Sequence, residues 1–209
     1  YELSTLTVYA NKAAQPLYQV ANQISVISRD RLDAEQVQNL ADIARYEPVL
    51  EADYSGPRFG NTGLAIRNIG GNRVALEVDA VPLPQGFRVG NFSDSGRTNI
   101  DPGIIKRIEI LRGPASVLYG SDAIGGVVVI ETLDAQEFIP IDQNHAFQLR
   151  SAYYGSNDSS LVQGTAAFTT GNDGVLISAG RRQGHELDNE AREIANDEVD
   201  FTQHQGFAK

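Results

Sequence analysis

The stretch IIKRIEILRGPASVLYGSDAIGGVVVIET occupies residues 104–132, and its pattern predicts two strands separated by a turn. Residues 104–112 have the period of two that is typical of a strand. Gly113 and Pro114 end this strand, because proline cannot donate to a strand ladder and glycine permits unusual backbone angles. One helical turn is predicted at residues 115–119, and the β-branched run at 127–130 suits a buried strand.

The glycines of this stretch do not have the spacing of a phosphate-binding loop. No Lys-Ser or Lys-Thr pair follows them, and no GxGxxG opens a long helix, so tight backbone packing is the plain interpretation. As a whole string, however, the segment resembles the plug domain of TonB-dependent outer-membrane receptors. The resemblance rests on Ile-Glu-Ile-Leu-Arg-Gly-Pro at 108–114, Tyr-Gly-Ser at 119–121, and the Gly125-Gly126 pair before an apolar strand.

Composition excludes several classes of protein. The net charge of −10 argues against nucleic-acid binding through a basic surface. The 209 residues contain no cysteine, so no disulfide framework or thiolate metal site is expected, and no methionine, which suits a processed chain or an excised fragment. No run of about 18 apolar residues could form a transmembrane helix.

The first ten residues, YELSTLTVYA, contain a short β-prone segment that could be an ordinary edge strand or a loose terminus. Such a segment could also be captured by a partner through strand addition. The resemblance implies that the TonB box, the segment that TonB pulls, lies here. We place it at Thr5, Leu6, Thr7 and Val8.

A helical spacing of apolar residues begins at Leu32 and continues to residue 44, with Asp33 expected to cap the helix and Pro48 to end it. Arg67 lies among apolar neighbours at 64–70, where a charge is costly unless it is paired. The resemblance implies that Arg67 and Arg112 meet carboxylates of the barrel wall, and we place Glu109 with them in the contact that locks plug to barrel. The alternative is that the arginines are exposed at a sheet edge; Asn68 also departs from the glycine usual in the family.

Residues 82–101 form a loop that is long for a compact domain, and such loops are usually functional or disordered. The strand before it, 73–81, is predicted from alternation. The resemblance implies that plug loops reach the extracellular side and contact the ligand, although a merely mobile loop would have the same composition. The residues expected to bind ligand in the plug loops are Tyr54, Arg58, Gln85, Phe87, Arg88, Asn91 and Phe92.

After Leu133 the pattern changes. A polar linker at 134–144 precedes three alternating segments, at 146–154, 160–169 and 175–182, with tight-turn strings between them, which is the signature of barrel strands. Apolar side chains are expected to face lipid, whereas Gln148, Arg150, Gln163 and Thr165 face the lumen or plug. The acidic stretch after Arg182 is predicted to be a solvated loop, and the chain to end in a further strand.

The predicted fold is therefore an α+β plug domain, a small mixed sheet with short helices, followed by the first antiparallel strands of a transmembrane β-barrel. Three or four spanning strands would leave open edges, which lipid does not tolerate, and barrels with a plugged lumen have about 22 strands. The remainder of the same barrel is thus an expected partner. The predicted domains are a TonB-box segment at 1–10, a plug at 11–133 and the barrel's beginning at 134–209.

The resemblance implies energised uptake by a bacterial outer-membrane receptor with plug and TonB box facing the periplasm. Its partners would be TonB, membrane lipid and a transported ligand, with no catalysis and no resident cofactor or metal. Gly-Asn-Arg-Val at 71–74 is similar to the heme and hemoglobin receptor branch, with a ferric siderophore as the alternative. No histidine that could ligate heme occurs before His145. A non-energised pore or adhesin is a more remote alternative. A serine hydrolase is disfavoured, because this sequence lacks the spacing of a nucleophile elbow.

Overall fold

The computed structural model describes residues 7–8, 12, 15–16, 23–54, 61–86, 88–89, 93–94, 100–155, 158–185 and 200–209. Contacts divide the described chain into two compact units, of which the second comprises Leu133–Lys209 and the first comprises Asn61–Thr132 with the described residues before it. No helix in the described ranges is long and apolar enough to cross a membrane.

The described part of the first unit contains eleven strands, most of them short. In chain order they are β1 (Thr7–Val8), β2 (Gln15–Pro16), β3 (Gln23–Ser28), β4 (Leu50–Tyr54), β5 (Asn61–Ile66), β6 (Val74–Val78), β7 (Val81–Pro82), β8 (Arg88–Val89), β9 (Ser93–Asp94), β10 (Ile105–Arg112) and β11 (Gly126–Thr132). Its helices are α1 (Arg29–Ala34), α2 (Leu40–Ile43) and α3 (Ser116–Tyr119), with 3-10 turns at Gly71–Arg73 and Pro102–Ile104. The two strands and the helical turn predicted within 104–132 are confirmed.

A five-stranded mixed sheet organises this unit, in the order β3-β10-β11-β6-β7. The β11–β6 pairing is parallel, while β10 pairs antiparallel with both β3 and β11. β10 and β11 are therefore central, which explains why their residues are buried on both faces. The main core on one face is formed by aliphatic side chains that include Ile27, Leu32, Leu76, Ile108 and Ile130.

The predicted helix at 32–44 is wrong in its start and continuity. α1 begins after Ser28, whose side-chain oxygen accepts a hydrogen bond from Arg31 N, so Ser28 and not Asp33 is the N-cap. Gln36 has φ of +50°, which ends the helical path before α2. The apolar spacing still identified core residues, because Val37, Leu40 and Ile43 are all buried.

The second unit is an antiparallel sheet of four consecutive strands with one short helix. The elements are α4 (Ala135–Phe138), β12 (His145–Tyr154), β13 (Ser159–Thr170), β14 (Asp173–Gly184) and β15 (Phe201–Ala208). The three alternating segments and the further strand are confirmed. The largely polar linker predicted at 134–144 contains α4, and Leu133, Ala135 and Ile139 around it bury apolar side chains against the sheet residues Ala167 and Leu176.

Candidate functional site

One row of residues marks the edge of the five-stranded sheet where several connections meet, and we call this row the loop edge. Gln23 pairs with Arg112, Arg112 with Gly126, and Gly126 with Val74. β3, β11 and β6 begin at this row and β10 ends there. The β5–β6 and β10–β11 connections are therefore brought together at the loop edge, although they are far apart in sequence.

Arg112 at the loop edge is neutralised from within its own unit. One guanidinium nitrogen donates to Glu47 Oε1 and to Ser25 Oγ, and Ser25 Oγ donates to Glu47 Oε1 over 2.9 Å. Glu47 is 5% exposed, and Arg31 Nη1 lies 3.6 Å from its second oxygen. A buried charge is costly unless it is paired, so the ion pair with Glu47 offsets the cost of desolvating the Arg112 guanidinium. A barrel-wall partner for Arg112 stays a prediction.

Arg67 lies at the same edge but is exposed. Its Nη2 donates to Gln23 Oε1 over 3.0 Å. Arg67 and Asn68 both have positive φ, 51° and 63°, while Ile66 and Ile69 exchange two backbone hydrogen bonds, which defines a two-residue hairpin turn of type I′. Asparagine tolerates this left-handed conformation, which explains why Asn68 can replace glycine. Contact of Arg67 with a barrel wall stays a prediction.

The opposite face of the sheet carries buried acids. Glu109 is 1% exposed, and its Oε1 lies 3.3 Å from Arg107 Nε, which also lies 2.5 Å from Glu131 Oε2. Glu109 is therefore charge-paired inside the first unit, and its predicted contact with the barrel remains untested.

Lys12 connects the amino-terminal part of the chain to this face. Its Nζ lies 2.5 Å and 2.7 Å from the two carboxylate oxygens of Glu77, and 4.3 Å from the centre of the Tyr119 ring. Burial, followed by the charges of Glu77 and Glu109, raises the pKa of the Tyr119 phenol above its ordinary value. Lys12 thus compensates Glu77, which would otherwise be a buried and unpaired carboxylate.

Packing explains the double glycine before β11. A Cβ on Gly125 would lie 2.8 Å from Ile69 Cγ2. A Cβ on Gly126, whose φ is +152°, would lie 2.3 Å from the Leu111 carbonyl oxygen and 2.7 Å from Ile66 Cδ1. No real side chain fits at these distances. The packing interpretation of this glycine pair is confirmed.

Of the residues predicted to bind ligand, Gln85 is the one whose side chain the structure describes. Its Nε2 donates to Asp122 Oδ2 over 2.9 Å, so it faces the β10–β11 connection. The backbones of Tyr54 and Arg88 belong to β4 and β8. The predicted residues outside the described part of the chain are Arg58, Phe87, Asn91 and Phe92.

The predicted TonB box is described only at its end. Thr7 and Val8 form β1, which pairs antiparallel with β2 through Thr7 opposite Pro16 and Val8 opposite Gln15. Thr5 and Leu6 lie outside the described residues. The box assignment stays a prediction.

The sheet of the second unit has two chemically different faces. Gln163, Thr165 and Ser178 share a polar face, where Gln163 Nε2 donates to Ser178 Oγ over 3.1 Å and the two hydroxyls lie 3.0 Å apart. By the same alternation, Gln148 and Arg150 belong to this face. The other face exposes large apolar side chains: Phe147, Leu149, Tyr153, Val162, Phe168, Val175 and Ile177. Such a face suits lipid.

Arg182 forms a further polar cluster that the sequence did not single out. Its Nε and Nη2 lie 3.2 Å and 3.1 Å from Ser159 Oγ, and its guanidinium carbon lies 4.6 Å from the Tyr154 ring centre and 6.0 Å from that of Phe201.

In the parts of the chain that the structure describes, no three His, Asp or Glu side chains form a metal-binding group.

Two further contacts were also missed, those of Glu47 with Arg112 and of Asn72 with Gly86. Glu47 and Arg112 are separated by 65 residues, and Asn72 and Gly86 by 14. Strand alternation gives the face on which a side chain lies but not the partner it meets there, so no local signal could have identified either pair.

The first unit contains a mixed sheet with short helices, and the second is an antiparallel sheet with one exposed apolar face. This is the architecture of a plug domain followed by barrel strands. Similarity to known proteins identifies the family. The family model described as TonB-dependent Receptor Plug Domain matches residues 16–127. Because this match covers more than half of the chain, the chain belongs to the TonB-dependent receptor plug domain family.

Three relatives illustrate the similarity. The hemin receptor of Yersinia pestis is 32% identical over 201 residues, 95% of this chain and 29% of that protein. The vitamin B12 transporter of Vibrio vulnificus is 35% identical over 132 residues, 63% of this chain and 21% of that protein. The solved hemophore receptor HasR of Serratia marcescens superimposes with a TM-score of 0.72 at 19% identity, covering 92% of this chain and 29% of that one. The chain thus spans less than a third of these relatives.

Proposed function

We propose that this chain forms the plug and the first barrel strands of a receptor that takes up heme across an outer membrane with energy supplied through TonB. The observation that carries the proposal is the 32% identity with a hemin receptor over 95% of this chain. The Gly-Asn-Arg-Val string at 71–74 also favours heme. In this proposal heme, delivered free or from hemoglobin, is the transported ligand and not a resident cofactor, and no catalytic step is required.

The proposed division of labour follows the chain. Residues 1–10 present the TonB box on the periplasmic side, residues 11–133 form the plug, and residues 134–209 begin the barrel. The apolar face of β12–β15 would contact lipid, while the polar face would contact the lumen. The remaining strands would come from the rest of the same receptor, because open strand edges are not stable in lipid.

Arg67 is the residue we favour for contact between the plug and the barrel wall. It is exposed, and its described hydrogen-bond acceptor, Gln23, is neutral. Arg112 and Glu109 have charged partners inside the first unit, so a wall residue would have to share or replace those partners. We therefore expect the contribution of Arg67 to such contacts to exceed those of Arg112 and Glu109.

A second candidate ligand is a corrinoid, because the vitamin B12 transporter of Vibrio vulnificus is 35% identical over 63% of this chain. A ferric siderophore is the alternative within the iron-uptake receptors. Both alternatives leave the transport mechanism unchanged, since they differ from heme in the ligand alone.

The test is a titration of the full-length receptor in detergent with hemin, a ferric siderophore and cyanocobalamin. We expect a saturable Soret shift with hemin at low concentration and no competition by the other two ligands. Binding of cyanocobalamin or the siderophore without a hemin shift would overturn the heme assignment. Failure to bind any of the three would remove the support for uptake of this group of ligands.

A further inference from the structure

Residues 83–86 run beside β6 and return the chain to the loop edge. Leu83 N donates to Leu76 O over 2.8 Å just after β7. At its end Asn72 Nδ2 donates to Gly86 O over 2.9 Å, and Gly86 N donates to Asn72 Oδ1 over 2.8 Å. The Asn72 side chain therefore gives Gly86 one donor and one acceptor, as a neighbouring strand would.

A second contact fixes the residue before Gly86. Gln85 Nε2 donates to Asp122 Oδ2 over 2.9 Å, while the other carboxylate oxygen of Asp122 lies 3.2 Å from Ser121 Oγ. Asp122 belongs to the β10–β11 connection, and Asn72 to the 3-10 turn before β6. Two consecutive residues, Gln85 and Gly86, are thus held by two different connections of the loop edge.

We propose that Asn72 is a positioning residue for the ligand, with Asp122 in a supporting role: together they fix the point at which the segment following Gly86 leaves the sheet. The proposal rests on the proposed function and on the expectation that residues of the 82–101 loop contact the ligand. Neither Asn72 nor Asp122 needs to touch the ligand itself. Their effect is to hold the start of the binding segment in one place before the ligand arrives.

The physical reason is preorganisation. A segment that must be ordered on binding loses conformational entropy at that moment, whereas one whose start is already fixed loses less. Asn72 makes two hydrogen bonds to one residue, so its removal frees both polar groups of the Gly86 backbone. We expect Asn72→Ala to raise the hemin Kd about tenfold, and Asp122→Ala, which removes one acceptor of an exposed glutamine, about threefold.

The experiment measures hemin Kd, thermal midpoint and backbone hydrogen exchange on the full-length receptor and its variants. Asn72→Asp keeps the acceptor for Gly86 N but loses the donor, so its Kd should rise above that of wild type. Asp122→Asn keeps an oxygen that can accept from Gln85 and is the matched control for Asp122→Ala. Its Kd should match that of wild type.

The expected result is weaker hemin binding by Asn72→Ala, faster exchange at Gly86 and a thermal midpoint within a few degrees of wild type. If Asn72→Ala accelerates exchange but binds hemin like wild type, the positioning role is wrong. Unchanged exchange would show that the contact does not hold Gly86, which also overturns the proposal. Wild-type receptor that binds no hemin would contradict the heme assignment instead, so the two failures are distinguishable.

Discussion

Replacing Gly126 by alanine tests the packing at the centre of the plug. A methyl group there would lie 2.3 Å from the Leu111 carbonyl oxygen, and real Cβ contacts essentially never fall below 3.0 Å, so β10 and β11 must separate by about 0.7 Å. Overpacking of this kind costs about 1–3 kcal/mol. The φ of +152° adds strain of about 1–3 kcal/mol for a residue with a side chain. We expect a loss of about 4 kcal/mol.

Hydrogen exchange of β10 and β11 amides in the full receptor measures this loss locally. Because about 1.4 kcal/mol corresponds to a factor of ten, exchange through opening of this sheet should accelerate by about 1,000-fold. Gly120→Ala is the matched control: its φ is +81° but no atom lies within 4 Å of the added Cβ, so strain alone remains. Exchange in Gly126→Ala within threefold of wild type would refute the packing argument.

Three further predictions concern charged or ionisable residues of the first unit. Glu47→Gln should destabilise the sheet by about 3–5 kcal/mol, because Arg112 loses its buried countercharge. A double variant with Arg112→Gln should recover part of the lost free energy of unfolding, whereas additive losses in urea unfolding would contradict the pairing. The free energy of unfolding of the wild type should decline above about pH 10, because the raised pKa of Tyr119 keeps the folded phenol protonated while the unfolded one ionises. Tyr119→Phe should remove this decline, and identical pH profiles of unfolding free energy for the two proteins would contradict this. Lys12→Ala should leave Glu77 unpaired, so proteinase K should cleave the amino-terminal segment at least fivefold faster than in wild type. Lys12→Arg should be cleaved at the wild-type rate, and equal cleavage rates of all three proteins would argue against the contact.

Periodicity predicted β10–β14 because burial imposes it directly. The single strand predicted at 73–81 is wrong, because Asp79 and Ala80 have φ of +47° and +65° and turn the chain between β6 and β7. β10 and β11 lie at the centre of a sheet, and β12–β14 have two chemically different faces, so their residue patterns carry the fold. Helix boundaries were less predictable: Ser28 and Asp33 are both good caps, and the choice depends on where β3 ends. The neutralisation of Arg112 by Glu47 depends on the folded sheet, so no local pattern could reveal it.

The motif at 104–132 indicates the family by itself, because its arginine, glycines and apolar strands follow one another in a fixed order. The sequence around Asn72 does not indicate the contacts of this residue. An asparagine in a glycine-rich turn has the same sequence context whether it caps a turn or binds a distant backbone. Ligand residues such as Phe87 and Asn91 remain predictions for the same reason: composition indicates which side chains could bind but not where they lie.

Iron accumulation from labelled hemin tests whether this chain belongs to a heme receptor that is energised through TonB. Cells that express the full-length receptor would be compared with and without TonB, with hemin as the sole labelled iron source. We expect accumulation above that of receptor-free cells when TonB is present, and loss of this difference when TonB is absent. Equal receptor-dependent accumulation without TonB, or none in either strain, would contradict the claim that this chain belongs to an energised heme receptor.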